Sequence, residues 1–140
     1  MHYELESMNN LLIQPSAHTP LIDFNYQTGK MVIKGRSIPD SPDEFWYKAL
    51  SWFESYLLDP KEKTVFNIDL EYFNVTSSKR ILALLYKLNE LADKGRDVCV
   101  NWHFRDGDED MYEVGQDYAY MVKVPFEFMP YKESDLAIAM

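Results

Sequence analysis

With one cysteine in 140 residues, the chain can form no intrachain disulfide and no thiolate zinc cage of its own. That residue, Cys99, lies in Asp97-Val98-Cys99-Val100, an apolar strand pattern that implies a buried, unreactive thiol. Glycine is sparse as well. Gly29, Gly35, Gly95, Gly107 and Gly115 stand one by one, which excludes a glycine-rich phosphate loop. No apolar run approaches the roughly 20 residues that span a bilayer, and Met1-His2-Tyr3-Glu4-Leu5-Glu6 has neither the basic flank nor the apolar core of a secretion signal. A cytoplasmic protein without a membrane partner is expected. Basic residues are few, 14 against 23 acidic ones, and the resulting net charge of −9 gives a surface that repels nucleic acid and anionic lipid.

What is present is a core. A hydrophobic fraction of 46% with 15% aromatics is enough to fold one domain, expected over residues 11–131 between tails at 1–10 and 132–140. Leu11-Leu12-Ile13 reads as a short strand. Leu21 to Asn25 and Lys30 to Lys34 alternate around Tyr26-Gln27-Thr28-Gly29 and form a hairpin. Ser41 or Asp43 is placed to cap a helix carrying Phe45, Trp46, Leu50, Trp52, Phe53, Tyr56 and Leu57. A strand from Val65 to Phe73, a helix ending at Gly95, a strand from Asp97 to Phe104, a helix through Tyr112, Val114, Tyr118 and Met121, and a closing strand Val124 to Phe128 complete the order. Alternation in the second half requires parallel strands with right-handed crossovers. The fold class is therefore α/β, a mixed sheet with an N-terminal hairpin and about three helices packed on it.

The segment Tyr72-Phe73-Asn74-Val75-Thr76-Ser77-Ser78-Lys79 joins a strongly apolar strand to a strongly amphipathic helix, whose stripe is Ile81, Leu82, Leu84, Leu85, Leu88 and Leu91. Three hydroxyls thus fall at a helix start just beyond the carboxyl end of a central strand, an edge where α/β sheets form binding sites. In the plainest reading Thr76 or Ser77 merely caps the helix. In the functional reading one of them carries a phosphate at the positive end of the helix dipole, where Lys79 and Arg80 lie on the same face.

Enzyme constellations are weak. Asp106, Asp108, Asp110 and Asp117 match positions of a calcium loop, but Met111 stands where a sharp turn needs glycine, so an acidic turn or an acidic docking surface for a basic partner segment fits better. His2, His18 and His103 show no metal-ligand spacing, and His103, beside Trp102 in a strand, reads as structural. A serine hydrolase acting through Ser77 or Ser78 would want a glycine-lined elbow, and none flanks them. No catalytic residue, metal or cofactor is expected.

Strand order and the hydroxyl junction suggest the STAS architecture by analogy of fold. A closer resemblance runs through Thr19-Pro20, Gly29, Gly35-Arg36-Ser37-Ile38-Pro39-Asp40-Ser41, Tyr72 to Lys79, Gly95, Val100-Asn101-Trp102-His103-Phe104, Asp108-Glu109-Asp110-Met111, Glu113 and Gly115. Over roughly residues 13 to 130 the chain resembles the SiaC family of bacterial regulatory phosphoproteins. The resemblance implies a non-catalytic switch in cyclic-di-GMP signalling: the unphosphorylated form activates a diguanylate cyclase, a kinase phosphorylates the junction, and a PP2C-type phosphatase reverses it. One departure bears on the acceptor. The family pattern places the phosphorylated Thr directly after the Asn, and here that position is Val75, while Lys79 and Ile81-Leu82 match without a gap. Thr76 is the first candidate replacement and Ser77 the second, with Asn74, Ser78, Lys79 and Arg80 around them. The alternative is a STAS-like binding module that has lost phosphorylation, and a small hydrolase is more distant still.

Overall fold

The computed structural model describes residues 9–132; the two expected tails lie almost wholly outside the described residues. Nine elements follow in the order β1 (Leu11–Ile13), β2 (Leu21–Asn25), β3 (Lys30–Ser37), α1 (Pro42–Tyr56), β4 (Lys63–Phe73), α2 (Val75–Asp93), β5 (Asp97–Arg105), α3 (Glu109–Met121) and β6 (Phe126–Tyr131). They build one six-stranded sheet in sequential order, antiparallel from β1 to β3 and parallel from β3 to β6. Every crossover steps to the next strand in the same direction. Right-handed connections of that kind place all three helices on one face, and α1 packs beside α2 there.

Burial alternates accordingly. Phe66, Ile68 and Leu70 of β4 and Val98, Val100 and Trp102 of β5 point under the helices, whereas Asn67, Asp69, Asn101 and His103 lie half-buried on the uncovered face. Phe53 of α1 meets Phe24 and Phe66 in an aromatic core that also holds Trp46 and Tyr56, and α2 contributes Ile81, Leu84, Leu85, Leu88 and Leu91. The hairpin turn ends on Gly29 at φ +73°, where a Cβ would stand 2.2 Å from the Lys63 carbonyl oxygen. Only glycine fits that approach.

Three expectations need correction. Cys99 is not fully buried: with Val98 and Val100 turned inward, the pleat sends it to the uncovered face, where it is half-buried. Partial burial still raises its pKa, as do Asp97 and Glu127 against the opposing Lys63, so the thiol stays protonated. The closing strand begins at Phe126 rather than Val124, because Pro125 has no N–H to give the ladder and Val124 is instead buried in the approach to it. Finally, α3 starts at Glu109 with Asp108 as its cap, so the expected acidic turn ends there and Asp110 and Asp117 are helical; Met121 of the same helix is exposed. Among the described residues, no three His, Cys, Asp or Glu side chains cluster to hold a metal. No described helix is long and apolar enough to cross a membrane.

Candidate functional site

The β4–α2 junction is assembled from three distant parts of the chain. Near its end β4 carries an extra residue opposite β3: Gly35 pairs with Leu70 but Arg36 pairs with Tyr72, leaving Glu71 as a bulge. The bulge turns Tyr72 outward, 52% exposed, and sets Phe73 opposite Ser37. The chain then enters α2 through Asn74, whose backbone N–H donates to the Ser37 carbonyl at 3.0 Å. Asn74 Oδ1 accepts the Ser77 N–H at 2.9 Å. The cap is therefore Asn74 and neither Thr76 nor Ser77, because the helix begins at Val75 and leaves the hydroxyls inside its first turn.

The three hydroxyls have different environments. Ser77 is fully buried, as is Ser37. Its Oγ donates to the Ser37 carbonyl at 3.1 Å and lies 2.7 Å from Ser37 Oγ. One hydroxyl proton serves one acceptor well, so Ser37 donates in the second bond and both hydroxyls are used inside the protein. Ser78 Oγ bends back to the Val75 carbonyl at 2.6 Å, the local bond that hydroxyls in helices often make. Thr76 is partly exposed, and Val75 before it is 71% exposed. Of the two acceptor candidates, only Thr76 is open to a second macromolecule.

Charge around the junction is also divided. Lys79 is exposed. Arg80 reaches across to α1, where its Nη2 pairs with Asp43, leaving Arg80 Nε buried without an acceptor. From the other side Tyr118 of α3 donates its hydroxyl to the Ser78 carbonyl at 2.9 Å. Burial pushes the Tyr118 pKa up to about 12, partly offset by that bond, so it remains a neutral donor at any physiological pH. Ser37, Asp43 and Tyr118 are the residues that sequence reasoning missed here. Sequence pattern marks the last two only as a cap and a helix position, and nothing local reveals contacts spanning about 40 residues of chain.

On the uncovered face below the junction, His103 Nε2 and Asn101 Nδ2 both approach Asn67 Oδ1, at 3.3 and 3.1 Å. Burial holds the His103 pKa below its ordinary value, with Asp69 opposing and Lys34 reinforcing the shift. The unfolded chain then takes up the proton more readily. Stability should be complete above the ordinary imidazole value of 6.5 and decline as pH falls from there toward the lower folded value. His103→Gln should flatten that limb in a series of urea midpoints against pH; an unaltered limb would assign it to other groups. At the carboxyl edge of the same face, Arg36 and Arg105 share a cleft of about 330 Å³ with Glu71 and Asp108. Its opposed charges favour no ligand of single sign.

Comparison with known proteins agrees with this architecture. The model of the SiaC family regulatory phosphoproteins matches residues 13–131. An uncharacterized protein of Pseudomonas aeruginosa (strain UCBPP-PA14) is 27% identical over 126 residues, covering 90% of this chain and 100% of that protein. Among solved structures, apo-SiaC of P. aeruginosa superposes with a TM-score of 0.81 at 26% identity, over 87% of this chain and 99% of that one. SiaC in the crystal structure of the diguanylate cyclase SiaD with its activator, also from P. aeruginosa, gives a TM-score of 0.83 at 26% identity, over 86% and 99%. With nearly the whole domain matched in family model, strand order and helix placement, the chain belongs to the SiaC family of regulatory phosphoproteins.

Proposed function

We propose that this chain is a non-catalytic cytoplasmic signalling module that binds and activates a diguanylate cyclase, and that phosphate on Thr76 controls the contact. The observation that carries the reading is the likeness, over 86% of the chain, to a SiaC that is the activator in a cyclase complex. A partner kinase and a PP2C-type phosphatase complete the proposed circuit. Thr76 is favoured as acceptor by its exposure and by the exposed Lys79 three residues on. A phosphate at Thr76 would sit over the free N–H groups of the first turn, beside the exposed Lys79. It would also put about two negative charges where Tyr72 and Val75 now offer exposed apolar surface to a partner.

Phosphopeptide mapping of protein recovered from its native cells, joined to cyclase assays, tests this. Thr76→Ala should abolish phosphorylation and keep cyclase activation, whereas Thr76→Glu should weaken it, within the limits of a carboxylate as a phosphate mimic. A second reading is favoured by Val75 itself, an apolar and highly exposed residue where the family pattern has its Thr. If no junction hydroxyl carries phosphate under several growth conditions, the protein is an activator without this switch.

A further inference from the structure

Beside the cleft of Arg36 and Arg105, and sharing Asp108 with it, lies a second cleft, about 310 Å³, formed where β5 turns into α3 and β6 ends. Its apolar wall is Phe104, Tyr112 and Pro130. The wall is braced from behind: Tyr112 lies 5.2 Å from Phe104 at 32° and 5.2 Å from Phe128 at 79°, so the three rings hold one another in place. The rim is acidic. Asp106, Asp108 and Glu109 line it, Asp110 and Glu113 follow on α3, and no basic side chain lines the cleft. Asp108 additionally caps α3 by accepting the Met111 N–H at 3.0 Å.

We propose that this cleft docks a basic segment of a protein partner, with one bulky apolar side chain seated against Tyr112 and flanking Lys or Arg residues on the carboxylate rim. The volume is at the lower limit of ligand sites, room for one or two side chains and too little for a dinucleotide or large cofactor. Exposed ion pairs hold little by themselves, so the rim steers and selects the partner while the buried anchor supplies most of the affinity. A segment with only one of the two features binds poorly. The inference rests on the reading of this protein as a protein-binding regulator, but on a surface separate from Thr76.

The test uses the full chain, labelled with ¹⁵N, and three synthetic peptides: one with a Leu-Trp anchor between lysines, one with those lysines replaced by glutamates, and one with lysines around alanines. The first should move the amide signals of Gly107, Glu109 and Tyr112 and bind more weakly as salt rises; the other two should bind at least about tenfold more weakly. Tyr112→Ala should reduce binding by about tenfold or more, and the exposed double variant Asp106→Lys with Glu109→Lys should do so without touching the wall. Equal binding of the glutamate peptide, shifts confined to another surface, or no binding at all would overturn the proposal. So would the same shifts appearing on concentration alone with dimers in sedimentation, since the occupant would then be a second copy. Thr76→Glu should leave peptide binding unchanged, so failure of the phosphorylation switch and failure of this cleft are read separately.

Discussion

Trp102→Ala should cost about 3–5 kcal/mol of folding stability, read as the shift in a urea unfolding curve followed by far-UV circular dichroism. Trp102 is 1% exposed, and its ring is the surface on which α3 lies. It packs 5.6 Å from Tyr118 and 6.4 Å from Phe126, and its Nε1–H donates to the Met111 carbonyl at 3.0 Å. Truncation therefore loses a large apolar burial, opens a cavity between sheet and helix, and strips an acceptor of its partner. Against a typical total of about 5–15 kcal/mol this is a large share. The same contact is intolerant in the other direction. A Cβ on Gly115 would stand 2.5 Å from Trp102 Nε1, so Gly115→Ala should also destabilise, although alanine gains about 1 kcal/mol in helix propensity. A Trp102→Ala protein with unchanged midpoint would mean that α3 is held by other contacts, the Tyr118 bond to Ser78 among them.

Ser77→Glu should cost about 3–5 kcal/mol at neutral pH, whereas Thr76→Glu, one residue away, should stay within about 0.5 kcal/mol of the parent. The difference follows from burial. A carboxylate at Ser77 enters a fully buried position and breaks both hydroxyl bonds to Ser37. At Thr76 it remains partly solvated in a first turn that holds no acidic residue, where the helix dipole favours negative charge by about 0.3–1 kcal/mol. Paired urea titrations of the two variants decide the matter. Should Ser77→Glu prove as stable as the parent, the buried clamp is wrong and Ser77 returns as an acceptor equal to Thr76.

Much of this was legible in the amino-acid order, for local physical reasons. Period-two alternation around Gly29 specified the hairpin, and the three-and-four spacing of Ile81 through Leu91 specified α2 and its inward face. The run of crossovers implied a parallel half-sheet, and the junction residues together with scattered matching segments pointed to the family. Boundaries were weaker. β3 runs on to Ser37 because pairing with β4 continues through the bulge, a long-range gain that no property of Gly35 or Arg36 announces.

What only the tertiary structure decided is the inequality among neighbouring side chains. Thr76, Ser77 and Ser78 are chemically alike in sequence, yet a bulge in β4 brings Ser37 beneath the helix start, so one hydroxyl is buried, one is bonded to its own helix and one is left open. Spacing puts Arg80 on the same helix face as Thr76, but α1 places Asp43 against it. Cys99 read as core until the pleat, anchored by Val98 and Val100 under the helices, turned it to the uncovered face. Periodicity is a property of a segment and is written in its own residues. Burial and partnership are properties of pairs brought together from distant segments, and those exist only once the sheet has closed its order.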